Sequence, residues 1–224
     1  MKRSINALLF ILITFLANNS QAQFLENLKT GFRIGPNVSS FAGEDRASWG
    51  LGEDPKLVPG FSAGVYAQHE LNNGLIVESG LYLTRKGAKY EGMGYDISES
   101  ATVDRTDRKI LTGIDMPFMA RYYVNEQISV FAGPQISFLV SAKNKIEEGG
   151  SKRKEDVNDS YKSVGLNFTL GAGYDFENSI HAQVNFTPGI SNITKSEYEG
   201  ISTFDVKDCI FWISIGCPFP LGGE

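Results

Sequence analysis

Beyond Leu16 this 224-residue chain has no apolar run long enough to cross a bilayer as a helix, which takes about 20 residues. A helical membrane protein is thereby excluded. A membrane barrel is not, because its strands need only about ten residues with every second one apolar. Cysteine is nearly absent, with Cys209 and Cys217 the whole inventory. Eight residues apart in one extended segment, at about 3.3 Å per residue, they stand roughly 26 Å from each other, beyond the reach of a disulfide. They read as small, semi-apolar wall residues. Histidine is equally scarce, and no Cys or His cluster accompanies His69 and His181, so no metal centre and no cofactor is expected. Basic charge is in deficit, 21 Lys and Arg against 26 Asp and Glu, which argues against nucleic acid as a partner.

What is present begins at the N-terminus. Lys2 and Arg3 precede an apolar run from Ala7 to Leu16, and Ser20, Gln21 and Ala22 supply small residues two apart. This is the pattern of a secretory signal cleaved after Ala22. The expected mature chain, residues 23–224, is a single domain, and losing Lys2 and Arg3 takes its formal charge from −5 to −7.

Eight segments of apolar and polar alternation follow, joined by connections that are long and short in turn. Long loops are expected at residues 42–59, 87–108, 143–161 and 191–205, and tight turns at 72–74, 125–127 and 177–178. An even number of antiparallel strands with short turns at one end and long loops at the other is the build of a bacterial outer-membrane barrel. Each strand carries one apolar face: Phe32, Ile34 and Val38 in the first, Leu81 and Leu83 in the third, Phe168 and Leu170 in the sixth, Ile213 and Ile215 in the last.

The opposite faces decide which way the wall points. They hold mostly Gly, Ser, Thr, Asn and Gln, which suit a crowded lumen, whereas a water-facing wall would carry Lys and Glu. The expected fold is therefore all-β, an eight-stranded antiparallel up-and-down transmembrane β-barrel with its apolar faces turned to lipid. A soluble periplasmic lipocalin-like binder, with the faces inverted, is the alternative. Aromatic residues at strand ends fit interfacial belts, with Tyr122, Tyr174, Phe176 and Phe219 near the tight turns and Phe41 and Phe61 near the long loops.

Several short motifs carry a resemblance. The segments Gly31-Phe32-Arg33-Ile34-Gly35-Pro36-Asn37, Glu78-Ser79-Gly80-Leu81-Tyr82 with Lys86-Gly87, Asp115-Met116-Pro117-Phe118 leading to Arg121-Tyr122, and Phe131-Ala132-Gly133-Pro134 resemble the small outer-membrane β-barrel family of Bacteroidetes that includes PorT-like proteins. The resemblance implies a barrel in the cell outer membrane, with some members tied to protein secretion or gliding. It brings no catalytic residues with it.

Candidate site residues follow from parity. Arg33, Glu70, Glu78, Arg121, Asp175 and His181 all face the lumen towards the tight-turn end, where they could pair into a buried plug or form a proton or ligand site. An eight-stranded barrel has room inside only for its own side chains, so a diffusion pore is not expected. The functional expectation is a non-enzymatic barrel with a structural, adhesive or assembly-associated role, or a scaffold in a secretion or motility complex. A lipid-modifying enzyme is the alternative of a different class, and it would need Ser, His and an acid converging near the long loops. The expected partners are outer-membrane lipid and lipopolysaccharide, with the long loops as the surface for any protein partner.

Overall fold

The computed structural model describes residues 28–72, 74–96, 101–177, 179–195 and 204–219; the export signal expected over residues 1–22 lies outside them. The strands are β1 (Leu28–Ala42), β2 (Val58–Asn72), β3 (Leu75–Asp96), β4 (Ala101–Tyr123), β5 (Ile128–Glu148), β6 (Ser151–Asp156), β7 (Val164–Asp175), β8 (His181–Pro188) and β9 (Lys207–Pro218). Eight of them form a ring in the order β4-β3-β2-β1-β9-β8-β7-β5, closed by pairing between β4 and β5, while β6 is added to β5 alone. The first and last barrel strands meet from Gly31↔Pro218 to Ala42↔Lys207. This is the eight-stranded up-and-down barrel that the alternation predicts.

The wall faces the way the sequence indicates. Phe32, Ile34, Leu81, Leu83, Phe168 and Ile213 are exposed on the outside, whereas Arg33, Ser62, Glu78, Gln135, Asn167 and Ser214 are buried inside. Three prolines sit in the interior of barrel strands, away from their ends, and the ladders are interrupted beside each. Pairing skips from Ile34 to Asn37 against β9, from Ser79 to Tyr82 against β4, and from Pro117 to Ala120 against β5, without a change of register. Pro36, Pro117 and Pro134 have no N–H to donate there.

Two of the expected loops are strand instead. β3 and β4 stay paired without a slip from Leu75↔Tyr122 to Asp96↔Ala101, so most of residues 87–108 project past the apolar band as a hairpin. Likewise β5 continues to Glu148 and returns as β6, with Lys143↔Asp156 and Glu148↔Ser151 at its limits. Both stretches alternate charge with Gly or other charge, which gives no hydrophobic period to read. A register shift at Thr112/Gly113 leaves Val140 unpaired between Leu139 and Ser141. Such a bulge reverses the parity of one strand. Below it Ser129, Phe131, Gln135 and Ser137 are buried, and above it Ala142, Asn144 and Ile146 are.

That reversal, with the loops, builds an apolar cap over the long-loop end. Phe41, Tyr90, Leu111, Tyr161, Ile193 and Val206 are buried there, with Trp49, Leu139 and Phe204 packed against them. Phe41, expected at the lipid interface, is only 4% exposed because this cap covers it. Tyr122, Tyr174, Phe176, Phe219 and Phe61 do face outward as expected. Asp45 ties the first outer loop to the last by accepting from the Asp205 N–H at 2.7 Å.

At the β1–β9 seam a Cβ on Gly35 would lie 1.9 Å from the Ile213 carbonyl oxygen, backbone that no rotamer change can move. Gly35→Val is expected to destabilise the barrel by about 1–3 kcal/mol, in the range of other overpacked sites. The urea midpoint of the refolded protein, read by heat-dependent gel migration, checks this.

Candidate functional site

The lumen is organised in levels, beginning at the short-turn end with an open mouth of about 660 Å³ lined by Lys29, Glu70, Tyr123, Asp175 and His181 among others. Glu70 is exposed on this rim, outside the ion pairs above it. Asp175 accepts from the Tyr123 hydroxyl and is the cross-strand partner of His181.

Above the mouth, four of the six expected residues meet. The Glu78 carboxylate accepts from Arg33 Nη1 at 2.6 Å, Arg121 Nε at 3.0 Å and Gln68 Nε2 at 2.6 Å. Arg33 also donates to the Tyr82 hydroxyl at 2.8 Å and lies over the Tyr66 ring at 4.4 Å. Arg121 donates to Ser129 at 2.8 Å and Gln183 at 2.9 Å, with its guanidinium 4.4 Å from the Phe131 centroid. His181 Nε2 lies 3.4 Å from Arg33 Nη2, and its ring stands edge-on to Tyr66. Among the described residues no serine hydroxyl bonds His181. Arg33 and Glu78 side chains are fully buried, so each charge depends on these partners for what water would otherwise supply.

A second set occupies the next level. Lys86 pairs with Asp208 and stands 3.7 Å from Asp115, while Asn167 donates to Asp208 at 3.3 Å. Neither Lys86 nor Asp115 nor Asp208 is a residue that the tight-turn parity argument singles out; all three lie on inward positions nearer the long loops. Taken together, Arg33, Arg121 and Lys86 balance Glu78, Asp115 and Asp208 charge for charge. Between the sets, Tyr82 and Trp212 meet edge to face at 5.1 Å beside a chamber of about 20 Å³. Such a volume holds about one water molecule.

The cap closes the far end. Trp49 donates to the Tyr161 hydroxyl at 3.2 Å and meets the Phe204 ring at a tilt, with centroids 5.5 Å apart. Lys109 Nζ lies over the Trp49 ring at 4.5 Å and donates to the Trp49 carbonyl. Sequence reading misses this group because Trp49, Tyr161 and Phe204 fall in connections, where isolated aromatics show no period.

A match to the family model for the outer membrane protein beta-barrel domain spans residues 19–195, so the chain belongs to that family and resides in the outer membrane. Solved structures similar to it include Ail, the attachment invasion locus protein of Yersinia pestis. It is 17% identical, with a TM-score of 0.42 over 85% of this chain and 98% of that one. Neisserial surface protein A is 12% identical, with a TM-score of 0.44 over 85% of this chain and 97% of that one. OprG from Pseudomonas aeruginosa is 10% identical, with a TM-score of 0.35 over 86% and 94%. No curated protein matches the sequence.

Two expectations follow from the lumen and cap. Glu78→Gln keeps the side-chain shape but leaves Arg33 and Arg121 buried without their shared anion, a change expected to cost about 3–5 kcal/mol. Replacing Arg121 by Met in the same chain restores part of the loss, and urea unfolding in lipid vesicles measures both. Lys109 lies outside the membrane band, and burial, aided by Arg105 and opposed by Asp107, lowers its pKa to about 8. Its folded pKa is thus below its unfolded one, so the penalty of charging it in place is full below pH 8 and fades as pH rises from 8 towards 10.5. Stability relative to Lys109→Met should therefore rise over that window, as thermal midpoints of the two proteins at pH 7.5 to 10 will show.

Proposed function

We propose that the protein is exported by its residues 1–22, matures as a single domain over 23–224, and acts as a closed, non-enzymatic outer-membrane barrel. Its role in this reading is structural, adhesive or assembly-associated, and is carried by the outer hairpins and cap. The observation that carries the reading is the lumen itself, blocked in turn by the Arg33–Glu78–Arg121 pairs, the Lys86–Asp115–Asp208 set and the Trp49 cap. In this view the expected charge cluster is a plug. Arg33, Glu78, Arg121 and His181 form it, and Glu70 and Asp175 finish its open mouth. Against a lipid-modifying enzyme stands the packing of His181 on Arg33 and Tyr66 at the short-turn end.

The PorT-like secretion or gliding role is a narrower form of the same proposal, supported by the short motifs around Arg33, Glu78 and Arg121. The purified protein in planar bilayers is expected to show no steady conductance at either polarity. Stepwise ohmic openings would make it a channel and overturn the plug. Deletion of the gene with assays of secretion and surface spreading tests the narrower form.

A further inference from the structure

The projecting sheet carries a row of cations that no local sequence pattern reveals. Lys56 bridges Lys89, Lys89 faces Arg108, Arg108 faces Lys145, and Lys145 faces Lys154. Directly opposed residues point to the same side of a sheet, so these five basic side chains form one line across five adjacent segments. With strands about 4.8 Å apart the line is about 19 Å long. Like charges placed opposite one another destabilise a sheet, so the row is an arrangement the fold tolerates rather than one that favours it.

The nearby acids do not neutralise it evenly. Glu91 is held by Lys56 and Lys89, Glu147 by Lys152, Glu148 by Arg105, and Glu155 by Arg153. Among the described residues, Arg108, Lys145 and Lys154 take part in no ion pair, and all three are exposed.

The direction of the row identifies what it meets. The β3–β4 ladder runs without a slip, so Lys89 and Arg108 lie on the same outward face as Leu81, Leu83, Ile114 and Phe118. They point sideways into the leaflet's surroundings, not up from the loop tips. Lys89 is six residues above Leu83, about 20 Å along the strand, and strand tilt reduces this to about 15 Å of height. That is the level of the head-group sugars of the outer leaflet, where extended Lys and Arg side chains reach anionic groups.

We propose that this five-strand row is a lateral docking surface for the phosphorylated core sugars of lipopolysaccharide in the same leaflet, gripped by Arg108, Lys145 and Lys154. The site is independent of the plug and needs only the barrel and its orientation. Each cation near an anionic surface adds a similar increment of attraction, so losing three lowers affinity on the order of a hundredfold at low salt. Exposed charges are screened, so the difference closes as salt rises.

The test compares the intact protein with R108Q/K145Q/K154Q in zwitterionic micelles, titrated with purified lipopolysaccharide bearing phosphorylated core sugars. A control, K152Q/R153Q, removes two cations of the same hairpin that lie off the row and are paired with acids. The triple variant should bind about a hundredfold more weakly at low salt. The control should stay within about threefold, consistent with the small worth of exposed paired charges. Lipopolysaccharide stripped of phosphate should bind wild type and triple variant alike, and weakly. Equal binding of intact lipopolysaccharide by wild type and triple variant would overturn the proposal, as would equal weakening in the control. Binding of soluble dextran sulfate without binding of lipopolysaccharide would also overturn it, because the partner would then be a polyanion outside the leaflet. Heat-dependent gel migration keeps folding separate from binding, and relieving the opposed charges should leave it unimpaired.

Discussion

Every peptide group that faces hydrocarbon must find its hydrogen bond within the protein, and the meeting of the first strand, β1, with the last, β9, is what leaves the sheet without an edge. Once the ring closes, a strand has only two directions to show. The side facing lipid takes Phe, Ile, Leu and Val, and the side facing inward must fit a bore that eight strands make narrow. The interrupted ladders at Pro36, Pro117 and Pro134 show how much slack the ring allows: a donor is missing at each, yet no register moves.

A narrow interior makes charge an internal affair. Among the described residues three cations and three anions pair at these two levels of the lumen, one anion shared between two cations near the short turns and one cation shared between two anions farther up. Neither level is neutral alone, and the pair of levels is. Buried ion pairs are weak sources of net stability because desolvation offsets their attraction, but breaking one leaves a charge stranded. The lumen is thus held less by strength than by the penalty for any partial rearrangement.

Much of this was readable from residue order. Period-two alternation located all eight barrel strands and their outward faces, because lipid imposes one chemistry along the whole of a face. Parity puts Arg33, Glu78, Arg121 and His181 on inward positions near the tight turns, and these four stand in contact, whereas Glu70 lies on the exposed rim. What escaped reading lies above the membrane, where both faces of a strand meet water or loop and the alternation fades. Residues 87–108 therefore looked like loop although they are paired throughout their described length. The bulge at Val140 is invisible for a related reason, since one inserted residue reverses a parity without changing composition. Parity puts Asp115 inward, but nothing in the local sequence joins it to Lys86 and Asp208, which lie far from it along the chain.

The link from Asp45 to the Asp205 N–H joins the first outer loop to the last, directly above the β1–β9 seam. The two loops come from opposite ends of the chain and can touch only when β1 and β9 are neighbours. A chain stalled with its seam open therefore lacks the Trp49 and Phe204 contact that crowns the finished barrel. The crown is in effect a proof of completion, displayed to the outside world only by molecules whose assembly has ended.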